Sequence, residues 1–80
     1  MKARVIVTLK NGVLDPQGQA IEGSLSSLGF SGVAGVRQGK VFDLEVEGTD
    51  VEAARSQIKA MCDKLLANTV IENYAIEISN

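Results

Sequence analysis

The chain has 80 residues, 45% of them hydrophobic and 22% charged, with a formal net charge of −2. That length accommodates one hydrophobic core, and the composition is too apolar for a disordered chain. The acidic balance argues against nucleic acid, whose phosphates demand a basic face, and no stretch approaches the roughly 20 apolar residues that span a bilayer.

From Ala3 to Leu9 the pattern alternates. Ala3, Val5, Val7 and Leu9 share one face, and Lys2, Arg4, Ile6 and Thr8 share the other, which is a strand with one side in the core. The apolar run is short and lacks a small-residue cleavage site, so it reads as structure and not as a leader. Lys10-Asn11-Gly12 breaks the pattern, and Asp15-Pro16 starts a helix: a carboxylate to cap free N–H groups, then proline at the first helical position. Ala20, Ile21, Leu25 and Leu28 follow at helical spacing, with Gly29 where a glycine stop belongs. Gly18, Gly23 and three serines make this a poor helix by propensity, so packing must hold it.

Val33 to Arg37 and Lys40 to Glu47 are expected to be two strands joined by a tight turn at Gln38-Gly39. In the second, Phe42, Leu44 and Val46 oppose Asp43, Glu45 and Glu47. Thr49-Asp50-Val51-Glu52 is predicted to form a capping box between Thr49 and Glu52. Behind it Val51, Ala54, Ile58, Met61 and Leu65 make an amphipathic stripe. Tyr74, Ile76 and Ile78 alternate with polar or small residues in a last strand.

The predicted fold is α+β, a ferredoxin-like βαββαβ unit over residues 1–80. A four-stranded antiparallel sheet in the order 4-1-3-2 would carry both helices on one face. In that order Arg4 can face Asp43 or Glu45 across the open side. A domain this small usually gains a disulfide, a metal or a partner. One cysteine and no histidine leave no intramolecular disulfide and no ordinary zinc site, so self-association is the remaining support. A lone reduced thiol and no export signal place the chain in the cytoplasm.

Candidate chemistry is sparse. Cys62 has no histidine to act as its base and lies near the apolar stripe, so it reads as a buried thiol. The carboxylates Asp43 and Glu45 share the open strand face, where charges are ordinarily solvated or paired. The glycines lack a phosphate-loop spacing, and the acidic open face is wrong for the RNA-binding modules that share this element order. In the segment Lys10–Gly18, Val13 and Leu14 either staple the helix start or stand exposed to meet another protein.

At that segment the sequence becomes specific. Lys10-Asn11-Gly12-Val13-Leu14-Asp15-Pro16-Gln17-Gly18, Leu28-Gly29-Phe30, Val36-Arg37-Gln38-Gly39-Lys40 and Leu65-Leu66-Ala67-Asn68 with Val70-Ile71-Glu72 resemble the PurS family along the whole chain. Thr69 departs from the proline that relatives often carry there. The resemblance implies the small, non-catalytic subunit of phosphoribosylformylglycinamidine synthase in purine biosynthesis. It implies a glutaminase subunit and a large synthetase subunit as partners, with ATP, Mg and glutamine used by those partners and no cofactor bound by this chain. It also implies self-association as a dimer or a dimer of dimers. Lys10, Asn11, Asp15, Arg37 and Lys40, on loops at the ends of elements, are the expected partner-interface residues; the alternative for each is an ordinary turn residue. Two other readings are an amino-acid-sensing regulatory module of the same topology, and a small enzyme working through exposed carboxylates.

Overall fold

The structure, a computed structural model, describes residues 1–79. Strand β1 (Lys2–Leu9) is followed by helix α1 (Pro16–Ser27), strand β2 (Gly39–Glu45), helix α2 (Val51–Met61), a π-helical turn at Cys62–Leu66, and strand β3 (Glu72–Ser79). The sheet is antiparallel in the order β2-β1-β3. Ala3, Val5 and Val7 on the central strand are buried, as the alternation requires. On the other face Arg4 stands opposite Asp43, and its Nε donates to Asp43 Oδ1 at 2.8 Å. Both side chains are more than half exposed, so salt screens this pair and it adds little to stability.

The expected four-stranded sheet is not present: the described residues form three strands, and residues 33–37 are not among them. Gln38-Gly39 therefore makes no hairpin turn. The Gln38 N–H that would serve it donates instead to Asp15 Oδ2 at 2.7 Å. Residues 33–36 run beside α1, with the Val36 carbonyl packed onto Gly18 so closely that no Cβ could fit. The two pairings of β1 agree with the expected order; the edge strand beyond β2 is what is missing.

The capping expectation splits. At α1 it holds, since Asp15 accepts the Gly18 N–H at 2.9 Å and Pro16 occupies the first turn. The helix ends in a Schellman arrangement around Gly29 (φ +95°), with the Phe30 N–H donating to Leu25 O and the Gly29 N–H to Ser26 O. At α2 the cap is Asp50, not Thr49. Asp50 Oδ1 accepts from Glu52 N and Ala53 N, so one carboxylate one residue later does the work assigned to the Thr49–Glu52 pair.

Helix α2 supplies Ala54 and Ile58 to the core, and the π turn adds Cys62. The wider π turn shifts the register, turning Leu65 outward while Leu66 is half-buried. Leu65, expected on the inner stripe, is 82% exposed. Helix α2 packs along β3, where Arg55 reaches the Ile76 carbonyl.

The second correction concerns α1. The two helices do not share one face of the sheet: α1 makes no extensive contact with any strand, and only Gly18 within it is buried. With residues 28–38 it forms an arm that leaves the sheet, stretching the molecule to 49 × 26 × 15 Å.

Candidate partner interface

The loops picked out by sequence come together at the root of the arm. Asp15 is buried, and its two oxygens hold the backbone at both ends of the arm, Gly18 N on the way out and Gln38 N on the way back. The Gln38 N–H and then the Gly18 N–H hold its carboxyl below the usual carboxylate range; partial desolvation opposes them and the Arg37 charge assists. Arg37 closes the same junction from outside. Its guanidinium donates to Val13 O at 2.7 Å and to Lys10 O at 3.1 Å.

Asp15 and Arg37 are thus engaged within the chain, as internal ties. Lys10 is half-buried, and Asn11 and Lys40 are exposed. The Lys10 N–H donates to Ile71 O at 2.9 Å, which joins the β1–α1 loop to the turn before β3. Lys40 Nζ lies 5.7 Å from the Phe42 ring centroid, within cation–π range. Leu9, Val13, Leu14, Asp15, Lys40 and Ile71 border a shallow groove at this end of the sheet. Leu14 is exposed and Val13 half-buried, so Leu14 is free to meet another surface.

A second cluster lies in residues 65–72, a segment that carried the family resemblance but was not among the expected interface residues. Asn68 Oδ1 accepts the Val70 N–H at 3.2 Å, and the Asn68 carbonyl accepts from Ile71 N and Glu72 N. Glu72 Oε1 takes the Asn68 N–H at 2.6 Å. The tight turn so formed leaves Val70 exposed near Leu65 in the chain. Tyr74 donates its hydroxyl proton to Asp63 at 2.8 Å, binding the π turn to β3; this bond, more than burial, raises the tyrosine pKa. The signal available in the sequence was Asn68, a residue that readily starts such turns.

Cys62 is fully buried. Desolvation, with a smaller push from Asp63, raises its thiol pKa, so it is a poor nucleophile at neutral pH. The described residues contain no cluster of three or more metal-ligating side chains. No helix among them is long and apolar enough to cross a membrane.

Together these features define a small α+β domain whose polar loops are braced from within and which leaves several large apolar side chains, among them Leu14, Leu65 and Val70, exposed. The family model of PurS, described as phosphoribosylformylglycinamidine (FGAM) synthase, matches residues 2–80, and the chain belongs to the PurS family. It is 51% identical to the phosphoribosylformylglycinamidine synthase subunit PurS of Synechocystis sp., over 95% of this chain and 76% of that one. The fold is similar to the crystal structure of Bacillus subtilis PurS (TM-score 0.87, 44% identity, covering 99% and 98% of the two chains). It is also similar to a chain in the structure of PurLQS from Thermotoga maritima (TM-score 0.86, 36% identity, 95% and 93%). These relatives group the chain with PurS and not with amino-acid-sensing modules of the same element order.

Proposed function

We propose that this chain is the small subunit of a phosphoribosylformylglycinamidine synthase in purine biosynthesis, acting through assembly and not through chemistry of its own. In this reading a glutaminase subunit releases ammonia from glutamine. A large subunit uses ATP and Mg to activate the amide of formylglycinamide ribonucleotide, and ammonia displaces the amide oxygen to give the amidine. The small chain binds none of these; it bridges the two larger subunits in the cytoplasm and supports ammonia transfer between them.

The observation that carries this reading is the near full-length likeness to PurS chains, including one from a PurLQS structure. The chain's own chemistry agrees: it has no histidine, its one thiol is buried, and its buried carboxylate is spent on backbone N–H groups. Self-association as a dimer or dimer of dimers belongs to the same reading. Lys10, Asn11 and Lys40 face the partners, while Asp15 and Arg37 hold the loops that present them.

Co-elution tests this. The chain should appear with both larger subunits, and alanine at Lys10, Asn11 and Lys40 should weaken that complex while leaving the fold intact. If the larger subunits assemble equally well without the chain, the bridging role is wrong.

A further inference from the structure

The loops where β1 ends and β3 begins are tied down by hydrogen bonds to their own backbone. Arg37 grips the Val13 and Lys10 carbonyls, and the Lys10 N–H reaches Ile71 O. Asn68 holds the Val70 N–H through its side chain and the Ile71 N–H through its carbonyl. Loop tips are ordinarily the mobile parts of a domain. These braced tips carry apolar side chains outward: Leu14 is 64% exposed and Val70 81%. A side chain on a backbone already fixed loses little freedom when it docks, which suits it to the centre of an interface.

Ile71 joins the two tips. It follows Val70 in the turn, and with Leu9 and Val13 it borders the same groove as Leu14.

Charge sets this end apart from the rest of the chain. Lys10, Arg37, Lys40 and Lys64 stand here against Asp15, Asp63 and Glu72, a surplus of one positive charge. The other residues carry four cations and seven carboxylates, a deficit of three, so the net −2 resides elsewhere. Each carboxylate at this end accepts a hydrogen bond from within the chain: Asp15 from Gly18 and Gln38, Asp63 from Tyr74, Glu72 from Asn68. Among the described residues Lys10, Lys40 and Lys64 form no ion pair. The charge left to offer a partner is positive.

We propose that this end of the sheet receives a segment of a larger subunit that is apolar at its centre and acidic at its flanks. Leu14 and Val70 pack on the apolar side chains beside Leu9 and Ile71, and Lys10 and Lys40 pair with the carboxylates. An apolar centre inside a polar rim is the ordinary anatomy of a protein interface, and opposite charge gives it orientation and a faster encounter. A second copy docking by this same end would set lysines against lysines, since a two-fold contact brings like patches together. This contact rests on the subunit reading above and deepens it, naming the anchors and the charge of the partner.

Binding of the fluorescently labelled full chain to a mixture of the glutaminase and synthetase subunits tests it. The double variant Leu14→Glu, Val70→Glu should raise the dissociation constant roughly 30-fold or more. Both side chains are exposed, so its circular dichroism and its mass in the absence of partners should match the wild type. Ala53→Glu, an exposed change at the start of α2, should leave the constant within about threefold. Lys40→Glu should weaken binding more than Lys40→Ala, and added salt should narrow that gap. The lysine variants alter one exposed side chain and decide the matter whatever the fold of the double variant. Wild-type affinity in the double variant, or a Lys40→Glu chain that binds no worse than Lys40→Ala, overturns the proposal. Loss of self-association in the double variant also overturns it, by assigning the surface to contacts between copies. A wild type that binds neither larger subunit removes the subunit reading itself.

Discussion

Asp15 illustrates how one residue serves two parts of the chain. As a sequence feature it is a helix cap next to proline, and that much was legible. Its second oxygen holds Gln38, 23 residues away, and no local pattern announces such a bond. Its lowered pKa gives the bond a pH signature. A carboxyl with a depressed folded-state pKa contributes stability that is full above the unfolded value, near pH 4, and is lost as pH falls through the folded value. Asp43, lowered chiefly by its hydrogen bond from Arg4, titrates in the same window and is common to both proteins in a comparison of wild type with Asp15→Asn. In urea melts the wild type should be the more stable at pH 7, and the gap should narrow steadily below about pH 4. A gap that does not change with pH would mean the charge is irrelevant to the bond. Cys62 was readable as buried from its neighbours alone. Its thiol should react slowly with a thiol reagent in the native state and rapidly in denaturant; equal rates would contradict the burial.

At the level of elements, α2 was legible because its stripe follows one period from Ala54 through Ile58. The pattern misplaced Leu65, since a π turn adds a residue per turn that a 3.6 period does not contain. Removing the Ile58 side chain, which is fully buried, should cost about 2–5 kcal/mol, most of the stability of a domain this small. Helix α1 offers a contrast of sign between two glycines. Gly23 has open space where a Cβ would go, so Gly23→Ala should stabilise the helix by about 0.5–1 kcal/mol. Gly18 abuts the Val36 carbonyl, so Gly18→Ala should lower the melting temperature instead. Melts that move the same way for both would show that the Gly18–Val36 approach is not structural. Residues 33–37 read as a strand because Val33 and Val36 are β-formers beside a plausible turn. Tertiary bonds from Asp15 and Arg37 took the Gln38 backbone N–H and the loop carbonyls that border it.

For the whole molecule, the sequence pointed to a thin core, and the structure shows a 49 Å body whose arm carries a single charged residue, Glu22, between Pro16 and Val36. The arm was illegible because the stripe Ile21, Leu25, Leu28 fits equally well a helix lying on its own sheet or one standing away from it. Only the long-range ties at the root decide. The absence of histidine and the buried thiol were readable at once, and with the family likeness they lead to a subunit that assembles a complex. The most direct test is amidation of formylglycinamide ribonucleotide by the glutaminase and synthetase subunits, with and without this chain, driven by glutamine or by ammonia. The account predicts that glutamine-driven turnover requires the chain while ammonia-driven turnover does not. Glutamine-driven turnover at the same rate in its absence would contradict it.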